Sequence, residues 1–194
     1  MPKTISPSMI KTDQVLVLHI EFKWIKPSIW RRVAVPENIT LSKLHQVIQA
    51  VFGWSDTHLH EFEIDGESYG VPDPDWGPPV ISEQRKKLIN VLYGKKTFRY
   101  VYDFGDNWEL RIKVEKTLPA IIFPQVPCCI DGANRCPPED IGGVAGYEEF
   151  LAALADPNHP EHEEMSEWYG DDGFDPTAFD CDWVNQWLKK QVKV

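Results

Sequence analysis

Residues 15–53 read VLVLHIEFKWIKPSIWRRVAVPENITLSKLHQVIQAVFG, and this stretch decides the fold class. Over its first ten residues Leu16, Leu18, Ile20, Phe22 and Trp24 alternate with His19, Glu21 and Lys23, the two-residue period of a half-buried strand. Pro27 turns the chain. Ile29, Arg31, Val33 and Val35 then share one face of a second strand, so the pair predicts an antiparallel hairpin. Beyond it Leu41, Leu44, Val47, Ile48, Val51 and Phe52 recur at three- and four-residue spacing, with Thr40 placed to N-cap a helix and Gly53 to end it.

Outward from this core, HLHEFEIDGESYG (58–70) reads as a strand with Leu59, Phe62 and Ile64 apolar, running into an Asp65-Gly66 turn. Residues 70–80 hold four Pro and two Gly and predict an irregular surface excursion. After a basic, helix-compatible stretch, TFRYVYDF and NWELRIKVEKTL form a second predicted hairpin around Gly105-Asp106. Residues 119–138 carry five Pro and three of the four Cys, the composition of a loop crossing from sheet to helices. Helices are expected over 147–155, 159–168 and 176–190, the last opened by Asp175. Strands come first and helices cluster late, which predicts an α+β fold: a mixed or mainly antiparallel sheet of two hairpins and a further strand, covered by helices. The 194 residues are expected to form a single domain, with residues 1–13 a disordered lead-in and 139–190 a helical part packed on the sheet.

Charge and composition narrow the function classes. Of the net charge of −10, the acidity belongs to residues 136–188, which hold fourteen Asp or Glu and no Lys or Arg. Duplex nucleic acid binding needs a basic stripe that releases counterions, so it is disfavoured, although Arg85 to Lys96 offers a local basic patch. The acidic segment reads either as a solubilising face or as a binder of basic partners. No run of eighteen apolar residues occurs and the N-terminal residues lack a signal-peptide pattern, so neither membrane nor secretion is expected. Four clustered Cys do not make a disulfide framework in a chain of this length, and a cytoplasmic protein with reduced thiols is the expectation.

Four phrases stand out: GWSDTHLHEFEI (53–64), YVYDFGDNWEL (100–110), CIDGANRCPPEDIGGVAGYEEFLAALADPNHPEHEEM (129–165) and FDPTAFD (174–180). Together they resemble the plasmid pRiA4b ORF-3-like family from about the first strand to the last helix. The resemblance implies a bacterial or archaeal protein with no enzymatic activity firmly attached to its fold; some members carry a transposon-resolvase label, which implies a mobile-element role in DNA processing. A serine recombinase needs a nucleophilic Ser among several Arg and a DNA-binding helix-turn-helix. Six Arg with no cluster beyond Arg31-Arg32 do not supply that.

Candidate site residues come from the same phrases. His58 and His60, two apart in a predicted strand, would present both imidazoles to one face, and with Cys129 and Cys136 they could close a zinc or other divalent-metal site. Against this, thiols commonly pack as small hydrophobes and the Cys spacing is longer than in zinc knuckles. Asp103 and Asp106 suit ordinary turn chemistry, or a His-carboxylate site facing the His pair. Glu139 and Asp140 stand before a helix N-terminus, which favours their charge. Trp108, like Trp54, is a candidate contact anchor. His58, Asp103 and the loop from Cys129 to Asp140 are therefore expected to converge on one cleft. The leading expectation is a non-catalytic binding or interaction module whose partner is a protein or small molecule. The alternative is a metal-dependent hydrolase or nuclease centred on His58, His60 and Asp103.

Overall fold

The computed structural model describes residues 13–73, 79–170 and 173–192. The expected lead-in up to residue 12 and the middle of the 70–80 excursion, Trp76 included, lie outside the described residues. Strands β1 (Gln14–Phe22) and β2 (Trp30–Pro36) pair antiparallel as the hairpin, with Ile20 opposite Arg31. Helix α1 (Leu41–Phe52) follows. The Thr40 hydroxyl accepts from the Lys43 N–H, and Gly53 ends the helix at φ 78°, a left-handed conformation that costs glycine little. Strands β3 (His60–Ile64) and β4 (Glu67–Gly70) flank the Asp65-Gly66 turn, and the short β5 (Ile81–Ser82) joins β4 in parallel. A one-turn helix α2 (Leu88–Val91) precedes the second hairpin, β6 (Thr97–Tyr102) and β7 (Trp108–Pro119).

Residues expected to be a loop yield one more strand. β8 (Cys128–Ala133) pairs antiparallel with β2 and closes a sheet of order β5-β4-β3-β6-β7-β1-β2-β8. Its composition misled because the Pro residues lie outside it, while Cys128 and Cys129 alternate like small hydrophobes. Cys129 enters the main core and Cys128 a small cluster with Val15 and Ala34 on the other side. That second cluster also accounts for the burial of Val15, on the strand face opposite Leu16 and Leu18. The fold is α+β, a mostly antiparallel mixed sheet with helices gathered late in the chain.

The main core lies between one face of the sheet, α1 and the C-terminal helices α3 (Gly143–Ala155), α4 (His162–Tyr169) and α5 (Cys181–Gln191). Three details differ from expectation. Trp24 is exposed rather than inward, since β1 ends at Phe22 and the chain bends at φ 70°. α5 starts at Asp180, whose carboxylate accepts from the Trp183 N–H, whereas Asp175 closes a local turn with Thr177. That turn lets Phe179 lie over Gly132 of β8, where a Cβ would stand 2.7 Å from the ring. α3 starts at Gly143, at φ 68°, where a Cβ would meet the Asp106 carbonyl oxygen at 2.4 Å. A glycine there brings the helix start against the β6–β7 turn.

Candidate functional site

The β6–β7 turn fixes the first site residue. Asp103 Oδ1 accepts from the backbone N–H of Gly105 at 2.9 Å and of Asp106 at 3.3 Å, the local turn bonding its residue type favours. Its other oxygen stands 3.7 Å from His58 Nε2. His58 belongs to the segment between α1 and β3 rather than to the strand, because pairing of β3 with β6 begins at His60 opposite Tyr102. Asp140 Oδ1 is 3.2 Å from the same nitrogen. His58 Nε2 is buried, and neither carboxylate meets it with hydrogen-bond geometry, so three donor atoms gather within 4.8 Å of one another.

The loop that delivers Asp140 is held by its neighbours. Glu139 accepts from the Tyr102 hydroxyl at 2.6 Å, from the Ser55 N–H at 3.1 Å and from the Ser55 hydroxyl. Burial and that carboxylate push the Tyr102 hydroxyl well above its ordinary range, so it stays a donor. Asp106 Oδ2 accepts from the Gly142 N–H at 3.3 Å, tying the helix start to the turn. Glu139 and Asp106 are therefore struts, and of the expected convergence His58, Asp103 and the Glu139–Asp140 end of the 129–140 loop come together, whereas Cys129 does not.

His60 does not join it. Its Nε2 bonds Glu83 at 2.9 Å, and its ring stacks on His45 at 3.5 Å with planes 6° apart. His45 Nδ1 meets the Tyr100 hydroxyl at 2.8 Å and Nε2 meets Asp56 at 2.7 Å, while Gln49 donates to the Tyr100 oxygen at 3.2 Å. Tyr100 then has its own proton to give, to Nδ1, which leaves neutral His45 donating from Nε2 to Asp56. Burial, then the neighbouring His60, hold the His45 pKa below its ordinary value, in keeping with that form. His45, Asp56 and His60 also place donor atoms within 4.8 Å. Stacked parallel rings, however, aim their lone pairs along separate planes, and a zinc ion about 2.0–2.1 Å from each nitrogen cannot lie in both.

The Cys2His2 centre is likewise not assembled. Four strands separate β8, which carries Cys129, from β3, and Cys129 lies instead beside Asn185 of α5, which bonds both its backbone N–H and carbonyl. Burial raises the Cys129 thiol to about 12 and lifts Cys136 further. Trp108 is wholly buried against Phe22 and offers no contact surface. Its indole N–H, like that of Trp54, has no bonding partner.

Beside Glu139 opens a cleft of about 650 Å³, walled by the end of α1, the 135–139 loop and the segment leading into α5. Arg31 lies at its floor, 4% exposed, with its guanidinium between Phe52 and Phe179 at 5.1 and 4.4 Å from the ring centres. In the sequence Arg31 shares a strand face with Ile29, Val33 and Val35, and an arginine in phase with those apolar residues is the signal of a buried cation. His45 and Gln49 carried a similar signal, two polar residues on the apolar face of α1.

A mixed, mostly antiparallel sheet carries a His-carboxylate cluster and, beside Glu139, a cleft walled in part by the C-terminal segment. The chain belongs to the plasmid pRiA4b ORF-3-like family, whose sequence model matches residues 14–183. It is 42% identical over 174 residues to the uncharacterized protein y4hQ of Sinorhizobium fredii, covering 89% of each chain. It is also similar to the crystal structure of MM3350, a protein of unknown function from Methanosarcina mazei Go1. There the identity is 43%, the TM-score 0.80, and the match covers 88% of this chain and 97% of that one. Neither relative carries an assigned activity.

Proposed function

We propose that this protein is a non-catalytic ligand-binding module of the cytoplasm, acting as a single domain, whose small-molecule ligand occupies the cleft beside Glu139. The carrying observation is the cleft itself: its volume of about 650 Å³ lies in the usual range of small-molecule sites, and six aromatic side chains stand in its wall. Residues 139–190 are integral to this reading, since they provide one side of the site. Duplex nucleic acid is a poor partner for a chain with a Lys/Arg-free acidic stretch at 136–188. Among the described residues no helix is long and apolar enough to cross a membrane.

The test uses the uncharged dye N-phenyl-1-naphthylamine, whose emission rises on entering an apolar site. Saturable binding is expected, with energy transfer from Trp54 and Trp183 at the cleft wall. Ala178→Trp, which places an indole at an exposed lining position, should remove it. Binding that survives Ala178→Trp unchanged would sink the reading.

A second reading is supported by the three donor atoms of His58, Asp103 and Asp140: a divalent-metal site serving hydrolysis of phosphoester or amide bonds. Bonds of about 2.1 Å set neighbouring ligands about 3.0–3.4 Å apart in octahedral or tetrahedral geometry, close to the observed 3.2 and 3.7 Å. His60, committed to Glu83, has no part in it. Metal content of protein purified without chelator or metal-affinity resin decides: a stoichiometric ion lost in Asp103→Asn supports this reading, and its absence from the wild type removes it.

A further inference from the structure

Among the described residues Arg31 is a cation with no ion-pair partner. Its Nε–H donates to the Val51 carbonyl at 3.1 Å, and Nη1 donates to the carbonyls of Trp30 at 2.8 Å and Ala133 at 3.0 Å. These three bonds tie α1, β2 and β8 together and use three of the five N–H groups of a guanidinium. Among the described residues the two on Nη2 have no bonding partner, and Nη2 is not among the sealed, unsatisfied atoms of the interior. Since Arg31 lines the cleft, its uncommitted edge is the one the cleft can reach.

No carboxylate forms an ion pair with this guanidinium among the described residues. The sulfur groups nearest in charge are Cys136, Cys129 and Cys181, and burial raises the pKa of all three, which keeps them neutral. Two carboxylates line the cleft, but each is already engaged: Glu139 by Tyr102 and Ser55, Asp180 by the Trp183 N–H. A second cation, Arg135, stands at the wall over Tyr169 and Phe174 at 5.6 and 5.2 Å from the ring centres, and it too makes no ion pair among the described residues. A buried charge is tolerated only when paired or fully bonded, and a guanidinium fork fits a carboxylate in two parallel bonds.

We propose that the cleft selects a small organic carboxylate with a flat aromatic or apolar body, and that Arg31 holds its head group through Nη2; this rests on the reading of the cleft as a ligand site. The aromatic side chains of the cleft wall take the body, while Arg135 adds attraction there. The aromatic sandwich fixes the guanidinium plane before any ligand arrives, so little ordering is needed on binding.

Two dyes that differ in one group test the proposal on the full chain: 1-anilinonaphthalene-8-sulfonate and the uncharged N-phenyl-1-naphthylamine. The anionic dye is expected to bind about tenfold to a hundredfold more tightly, the range of a charge-assisted hydrogen bond. 2-Naphthoate should displace it, and 2-naphthalenemethanol should not. Arg31→Lys, which keeps the charge but loses the fork, should lower the ratio of anionic-dye to neutral-dye affinity several-fold. Arg135→Gln should lower anionic affinity by only a few-fold. Equal affinity of the two dyes for the wild type overturns the proposal while leaving the cleft reading intact, and needs no variant to fold. Loss of the preference in Arg135→Gln but not in Arg31→Lys overturns the assignment to Arg31. Persistence of both dyes in Ala178→Trp overturns the cleft reading itself.

Discussion

His58 and His60 are two residues apart, and the fold gives them unrelated environments. His60 is stacked on His45 and bonded to Glu83 in a network from which solvent is nearly excluded, with the His60 and Glu83 side chains 6% and 3% exposed. His58, just outside the strand, sits at 27% exposure between the Asp103 and Asp140 carboxylates without a well-formed hydrogen bond. The first arrangement is bonded and nearly closed to solvent; in the second the donor atoms are not bonded to each other and only Asp140 is well exposed. A buried network of matched partners specifies a structure, whereas an open group of donor atoms with no bond to each other is available to something else.

The sharpest way to break this comparison is to remove one half of the sealed pair. His60→Ala or Glu83→Ala should lower unfolding stability by about 3–5 kcal/mol, because the partner is left buried and uncompensated. The double replacement His60→Leu with Glu83→Leu should cost less than either single change, and urea denaturation of the four proteins measures both points. Single losses below about 1 kcal/mol would mean the network is not sealed.

A smaller effect is expected where the two regions of backbone meet. Gly143→Ala forces a Cβ to within 2.4 Å of the Asp106 carbonyl at positive φ, so the helix start must move away from the turn. A loss of about 1–3 kcal/mol is expected, with crystallography showing Asp140 drawn back from His58.

Acid sharpens the comparison through His45. Its folded pKa is depressed, first by burial and then by His60, against the attraction of Asp56 and Glu83, so the unfolded chain binds the proton more readily. Stability linked to His45 is therefore complete above its ordinary value of 6.5 and falls as pH drops below it. The slope is at most about 1.4 kcal/mol per pH unit, and His45→Gln should flatten that part of the curve between pH 7.5 and 5.5. A wild-type curve that is flat over this window and unchanged in His45→Gln would contradict the assignment.

The open region should respond least. Asp103→Asn keeps an oxygen for the Gly105 and Asp106 N–H groups, so stability should change by less than about 1 kcal/mol. Calorimetric titration with Mn2+ or Zn2+ should instead show weaker uptake. If the stability loss rivals that of His60→Ala, the contrast between the two histidines is false.

Much of the frame was legible in the chain. The β1–β2 hairpin, α1 with its Thr40 and Gly53 caps, the Asp65-Gly66 turn and the β6–β7 hairpin follow from periodicity and turn chemistry, which are local. So does the turn role of Asp103, since an aspartate bonds N–H groups two and three residues on. β8 was hidden because proline-rich flanks masked six residues that pair only with a strand already in place. The start of α5 was misjudged because Asp175 and Asp180 are equally good local caps, and the packing of Phe179 over Gly132 is not local.

The sequence by itself determined which residues alternate, which recur helically, where acid accumulates, and that His58, Asp103 and the 129–140 loop carry more polar chemistry than packing requires. Only the tertiary structure decided that His60 turns to Glu83, that Cys129 is held across four strands from β3, and that Arg31 ends at the floor of a cleft between two phenylalanines. Hydrogen bonds within a turn or a helix join residues a few positions apart and can be read from spacing. The Arg31 environment joins residues 31, 51, 133 and 179, and no pattern within one strand encodes where the others will stand.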